Sequence, residues 1–371
     1  QQLLTLERTK GKGAGANGGL PYLTYEDGMV DVVKPNRKPL TDAQINAYST
    51  TDWNDYFFRT GTTVSHNLGL TNGSKNVSTY TNFGYFKQEG ILINTDLQRF
   101  NFRNNLDGKS DNDKFRYSTN VNVNFSKNNS ASDLGTGGIN QNYIIGASRG
   151  VPYISPDEYI NGQQVLDLYN ADGTLVYTPL MLVDKTKTFL NNVEEIKAIT
   201  NFSASYEFIP GLTLTENLGI DYTQTTGLQY QSPAAFNSLV FQQPDQQYVG
   251  IDSESYGRDV TFDNTISLDY EKAFGLNTIS ATIYTEYVNS YLKTFGFTQN
   301  GLDPKTTFPG DDAGFITDLP NDDYYVPTVN ATIANVALLS YFASANYDYD
   351  GKYGLQGTLR RDASSRFSDT N

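Results

Sequence analysis

The sequence predicts an all-β chain: an antiparallel outer-membrane β-barrel crossing the bilayer with about ten strands of a larger cylinder and carrying long extracellular loops. Three observations carry this. Apolar residues recur with period two, as in Phe115, Tyr117, Thr119, Val121, Val123 and Phe125 interleaved with Arg116, Ser118, Asn120, Asn122 and Asn124. Several such runs reach roughly 13 residues, against about 5–6 in soluble sheets. At ~3.3 Å per residue and a tilt near 45°, that length covers the ~25 Å lipid-facing band of a barrel. Finally, the connections alternate between short and long, the asymmetry of bacterial barrels.

The elements come in this order along the chain. Residues 1–61 read as an extracellular loop segment; the Gly-rich stretch from Lys10 to Gly19 packs no core, and Pro35 and Pro39 interrupt regular structure after it. Thr41-Asp42-Ala43-Gln44 has the spacing of a capping box and predicts one short helix there. Residues 62–361 are the barrel strands. Weaker runs at 62–70, 76–86, 97–106 and 353–361 flank the clear alternation of Ile196–Phe208, Leu212–Tyr222, Val260–Tyr270, Ile279–Tyr287 and Leu339–Tyr349. Pro210-Gly211 and Asp350-Gly351-Lys352 are short turns, whereas large external loops are expected at 127–195, 225–256 and 290–336. Residues 362–371 begin the next external loop. Lipid tolerates no open sheet edge, so further strands are expected to complete the cylinder, with a plug or pore inside.

Composition sharpens the class. The 371 residues carry 27 basic and 41 acidic side chains, a net charge of −14, which disfavours a nucleic-acid partner. No Cys and one His exclude disulfide scaffolds, thiol catalysis and most zinc chemistry, and no cofactor is expected. With 27 Tyr and 21 Phe, the chain is polar on average yet rich in flat side chains, which fits a barrel exposing apolar groups at alternate positions. No apolar run approaches the ~18 residues of a membrane-spanning helix. Gln1-Gln2-Leu3-Leu4 has no basic n-region, so a mature or internal part of an exported protein is expected. Adjacent carboxylates at Glu194-Glu195 and Asp311-Asp312 point apart on extended chain, and no enzyme is expected.

A family resemblance rests on particular residues. Thr51-Asp52-Trp53, Phe58-Arg59-Thr60-Gly61, His66-Asn67-Leu68 and Gly73-Ser74 resemble the segment opening a run of strands in SusC/RagA-type TonB-dependent transporters. Gln88-Glu89-Gly90-Ile91 with Arg103, Asn105 and Leu106 is similar to the next stretch of that family. Leu339-Ser340-Tyr341-Phe342, Asn346-Tyr347-Asp348-Tyr349 and Thr358-Leu359-Arg360-Arg361-Asp362-Ala363-Ser364-Ser365-Arg366-Phe367 are similar to its internal signature. Ala343-Ser344 and Ala363 depart from its usual Gly-Arg and Gly. The resemblance implies a large barrel in the outer membrane of a Gram-negative bacterium of the Bacteroidetes, occluded by an N-terminal plug expected to precede residue 1. It implies coupling to the TonB complex through that plug, and a SusD-type surface lipoprotein as lid. Oligosaccharide is the implied substrate, with RagA-type oligopeptide import as the alternative. An outer-membrane adhesin or enzyme without TonB coupling, or a secreted soluble all-β binding protein, are the competing classes.

The candidate site residues derive from these expectations. If Phe100, Phe102 and Val121 face lipid, then Arg99, Arg103, Arg116, Asn120, Asn122 and Arg360 line the lumen, there to bind a plug or solvate a channel. Generic interior polarity is the bland alternative. Trp53, Tyr143, Tyr153 and Tyr159 are candidates for contact with substrate or lid, because flat rings beside amides suit sugars; loop anchoring and packing are the favoured reading. His66 shares a face with Val64, Leu68 and Leu70 and reads as structural. Asp311 and Asp312 are weak Ca²⁺ candidates without EF-hand spacing, and a solvated acidic loop is the favoured reading.

Overall fold

Ten strands succeed one another in one antiparallel sheet, and every spatial neighbour is also the next strand in sequence. The computed structural model describes residues 41–47, 50–131, 141–172, 179–310, 313–316 and 323–367, with isolated positions 2 and 5. The chain enters through two helices, α1 (Asp42–Ala47) and α2 (Trp53–Phe57). The capping box forms: Gln44 Oε1 accepts from the Thr41 N–H at 2.8 Å, and Thr41 Oγ1 accepts from the Gln44 N–H at 3.3 Å.

The strands are β1 (Thr62–Gly73), β2 (Val77–Glu89), β3 (Asp96–Lys109), β4 (Phe115–Asn129), β5 (Phe189–Ile209) and β6 (Leu212–Gln231). They continue with β7 (Val249–Phe274), β8 (Asn277–Leu302), β9 (Thr328–Tyr349) and β10 (Tyr353–Ser364). The connection between β4 and β5 carries α3 (Tyr143–Arg149), α4 (Gly162–Asp172) and α5 (Leu180–Thr188); that between β6 and β7 carries α6 (Phe236–Val240). No described helix is long and apolar enough to cross a membrane.

Short connections join the strands at one end of the sheet, and their residues meet the backbone demands of tight turns. Asp350 and Gly351 sit at φ 54° and 64° between β9 and β10, the left-handed conformation favoured by Asp/Asn-Gly pairs. Gly211, after Pro210, has φ 85°, and a Cβ there would collide with the Glu271 carbonyl oxygen of the neighbouring strand. Only glycine fits that approach.

Register fixes the two faces. Phe115, Tyr206, Leu214, Leu268, Ile283, Ala343 and Leu359 form one continuous cross-strand row from β4 to β10. Leu68, Phe83, Phe102, Val123 and Ala198 form another on the same face. A one-residue slip would turn every one of these over, so the apolar pattern specifies the pairing. Phe100, Phe125, Phe202 and Ile283 stand exposed on this face. No buried apolar side chain of the described residues lies in the alternating middle of a strand. The buried core lies in the cap of long connections and at the strand ends beside it.

Strand pairing runs beyond the stretches where alternation is legible. β5 begins at Phe189, β7 at Val249 and β9 at Thr328, while β8 continues to Leu302. The large connections therefore occupy 130–188, 232–248 and 303–327, narrower than the loops read from sequence. The reason is physical: period two marks only the height at which one face is apolar, and backbone pairing continues where both faces are wet. β7 and β8 have 26 residues each, far more than the ~9–11 a tilted strand needs to cross a bilayer.

Candidate functional site: the polar face and its cap

Arg99, Arg103, Arg116, Asn120, Asn122 and Arg360 all fall on the face opposite Val121, Val123 and Leu359. Arg103 pairs with Asn122 and Asn105 with Asn120 across β3 and β4. Arg116 and Arg360 lie in one row, which starts at Lys109 and runs from Arg116 through Ser205, Thr215, Ser267, Tyr284 and Phe342.

These side chains are tied into local networks. Arg103 Nε donates to Asn105 Oδ1 at 3.2 Å, and Arg99 lies over the Phe86 ring at 5.3 Å. Asn124 donates to Asn122 Oδ1 at 3.2 Å. Arg360 is the most engaged: its Nε donates to both Asp362 oxygens at 2.8 and 3.0 Å, and its Nη2 reaches Ser340 Oγ at 3.2 Å and Glu286 Oε2 at 3.4 Å. Its guanidinium also sits 5.0 Å from the centre of Phe342, which stacks on Tyr284 at 4.3 Å. Rings on the polar face thus serve as platforms for a cation.

The register also reveals an acidic counterpart that alternation alone does not show. β3 and β4 present Arg99, Arg103, Lys109 and Arg116 on this face, whereas β6 to β8 present Asp221, Asp259, Asp263, Asp269 and Glu286. Lys197 Nζ lies 3.7 Å from Asp221 at the boundary between them. A signal is present in the sequence, since each acid alternates with an apolar neighbour, as in Leu268-Asp269-Tyr270.

The cap is built from the helices before β1 and the connections between β4 and β5 and between β6 and β7, with Leu92 and Ile93 of the β2–β3 connection packed against it. Its buried core contains Ile45, Trp53, Phe57, Tyr143, Tyr153, Ile154, Val165, Leu180, Leu182, Val183 and Phe236. Four consecutive residues of α5, Leu180 to Val183, are buried, as expected of a helix enclosed on several sides. Asp52 caps α2, accepting from the Asn54 N–H at 2.8 Å, and so aims Trp53 and Phe57 inward. Trp53 stacks on Phe57 at 5.7 Å and donates its indole N–H to the Val151 carbonyl at 2.8 Å. Trp53, Tyr143 and Tyr153 are only 2%, 3% and 4% exposed, which leaves no open ring face for stacking on a sugar. Tyr159 is half-buried and donates its hydroxyl to Asp184 at 2.8 Å.

Asp184 is fully buried and joins separate parts of the cap. Its carboxylate accepts from Tyr159, from the Phe236 N–H at 2.9 Å and from Thr188 Oγ1 at 3.3 Å. Burial pushes its pKa above the usual carboxylate range, and its three donors oppose that shift. Burial, followed by the hydrogen bond to Asp184, likewise raises the Tyr159 phenol.

Where cap meets sheet there is a cleft of about 690 Å³ lined by Lys185, Phe189, Asn191, Gln229, Tyr230 and Gln231 among others. Phe189, Asn191, Gln229 and Gln231 are cross-strand neighbours on the polar face. Amides beside an aromatic ring can hydrogen-bond hydroxyl groups and cover an apolar ring face. No cluster of metal-ligating side chains occurs among the described residues. Asp311 and Asp312 lie outside the described residues. His66 stands on the apolar face, stacked at 6.5 Å on Tyr85.

No family model matches the chain. It is similar to TonB-dependent receptor P3 of Formosa agariphila, 27% identical over 354 residues that make up 90% of this chain and 31% of that protein. TonB-dependent receptor SusC of Bacteroides thetaiotaomicron is 24% identical over 387 residues, 96% of this chain and 36% of that protein. The chain therefore spans about a third of the length of these relatives. Among solved structures, the RagAB peptide importer in its open-open state matches with a TM-score of 0.65 at 22% identity. That match covers 89% of this chain and 36% of that one and is a likeness of fold.

Proposed function

We propose that this stretch of a SusC/RagA-type TonB-dependent receptor is barrel wall of an oligosaccharide importer in the Gram-negative outer membrane, working with a SusD-type lipoprotein and driven through TonB. In this reading Arg99, Arg103, Arg116, Asn120, Asn122 and Arg360 line the lumen, and the opposite face meets lipid. The observation that carries it is the sheet's two-sidedness: continuous apolar rows back onto a face of fixed charges and amides. Nothing in this arrangement does covalent chemistry. The basic arc of β3 and β4 and the acidic arc of β6 to β8 hold whatever occupies the lumen by complementary charge, and the wall itself stays rigid.

In this reading α1, α2 and the described parts of the connections that carry α3 to α6 and follow β8 face the exterior. The cleft at Asn191, Gln229 and Gln231 receives substrate between cap and lumen. Amide groups and the Phe189 ring there suit hydroxyls and an apolar sugar face, with Lys185 the one cation among the residues named, which favours a glycan. Calorimetry on the whole receptor with its lipoprotein tests this. Neutral oligosaccharides are expected to bind, and Gln229→Ala with Gln231→Ala to weaken binding about tenfold, the loss of two or so hydrogen bonds. Oligopeptide binding with no glycan binding would overturn the substrate assignment. Uptake undiminished in a TonB-deficient host would overturn the coupling.

A further inference from the structure

Arg258 of β7 and Lys293 of β8 are directly paired across the two strands on the apolar face. Like charges placed opposite one another destabilise a sheet unless something neutralises them. Their row holds no acid: its other members are His66, Tyr85, Phe100, Phe125, Ile196, Gln224 and Ile333. Neither cation forms an ion pair with any described residue. The Arg258 Nε is buried with no hydrogen-bond partner. The neighbouring row's Glu194 is held by Lys127 at 2.8 Å, and the first carboxylate farther along this face of β7 is Glu254, four residues on. A buried, unpartnered guanidinium nitrogen beside a second cation is a site shaped for an anion.

The height of the pair identifies the anion's source. It lies sixteen residues along the strands from the turn-end pair Phe274–Asn277, about 40 Å along the barrel axis at ~3.3 Å per residue and a tilt near 40°. A bilayer with its headgroup layers is about 40–45 Å thick. The pair therefore stands at the external headgroup layer. Its surroundings agree. Arg258 lies over Tyr291 at 5.7 Å and Lys293 over Phe295 at 5.8 Å, and Phe295 stacks on Tyr256 at 4.9 Å. Such rings mark a membrane–water interface. Beyond Tyr256 and Phe295, farther from the turn, the connection after β8 folds over the same face: Phe315 packs on Phe297, and the Gly310 N–H donates to Asp252 at 3.1 Å. The two cations thus sit within an aromatic belt, Tyr291 on the turn side and Tyr256 with Phe295 on the other, below the overhanging loop.

We infer that Arg258 and Lys293 bind a phosphate group of an outer-leaflet glycolipid, fixing one lipid to the outside of the wall at β7 and β8. The inference rests on the proposed orientation of the apolar face toward lipid. Native mass spectrometry on the whole receptor, purified in detergent, tests it with monophosphorylated lipid A, the same lipid dephosphorylated, and inorganic phosphate. Retention of the phosphorylated lipid is expected to exceed that of the dephosphorylated one at least tenfold. Arg258→Gln with Lys293→Gln should abolish the difference, and Arg258→Lys with Lys293→Arg should keep it. Equal retention of both lipids, or unchanged retention in the double Gln variant, would overturn the proposal. Displacement of the lipid by millimolar inorganic phosphate alone would also overturn it, since the site would then belong to a free anion. None of these readouts depends on substrate uptake. A reversed assignment of faces would instead appear as loss of assembly in Asn122→Arg rather than Val121→Arg.

Discussion

Asp184 shows how one buried charge can organise a cap made of separate connections. Its three donors come from the chain before α4, from α5 itself and from α6. Asn in its place keeps the shape but turns one acceptor into a donor facing the Phe236 N–H. We expect Asp184→Asn to destabilise the cap by about 1–3 kcal/mol, read as faster hydrogen exchange in residues 179–188. The pH dependence has a definite sign. The folded pKa is raised, so the folded state holds its proton more firmly than the unfolded chain. The stabilisation is complete at low pH and declines as pH rises from the ordinary carboxylate range through the raised value. Protection of the cap relative to intrinsic amide exchange should therefore be greater at mildly acidic pH than at neutrality, and Asp184→Asn should remove the difference. At this scale the sequence was partly legible. Thr41 and Gln44 announced the start of α1, whereas α2, capped by Asp52, was not read from the sequence, and that Phe57 meets Tyr143 at 5.3 Å is a tertiary fact with no local signature.

Strands carry their own predictions. Val121 and Asn122 are neighbours in sequence on opposite faces of β4. Arginine facing lipid at mid-depth costs ~2–4 kcal/mol, so Val121→Arg should sharply reduce assembly of the whole receptor, measured as heat-modifiable barrel. Asn122→Arg should assemble normally. The turns make a second demand. Gly211→Ala puts a Cβ against the Glu271 carbonyl at a positive φ and should cost ~1–3 kcal/mol, seen as a lower urea midpoint of barrel unfolding. Alternation made the strand middles readable because one face is uniformly apolar there, as in Phe115 to Phe125. It fails at Phe189–Val193 and Gly250–Tyr256, where both faces are polar or covered and only backbone pairing persists. The acidic arc escaped for a related reason: scattered aspartates become one surface only when register lines up Asp221, Asp263 and their neighbours.

At the scale of the whole molecule, β1 and β10 are the two edges of the described sheet. Lipid admits no unpaired edge, so the proposed orientation requires other strands to complete the wall; the chain spans about a third of the length of its relatives. The central claim is that the apolar rows look outward into hydrocarbon. This chain carries no Cys, so single cysteines introduced into it are the only ones it contributes. Single cysteines at positions 119 to 125 of the whole receptor, carrying an environment-sensitive fluorophore in vesicles, can be quenched from either side. Nitroxide on lipid chains is expected to quench positions 119, 121, 123 and 125, while an aqueous quencher reaches 120, 122 and 124. Quenching in the opposite phase, or with no alternation at all, would contradict it.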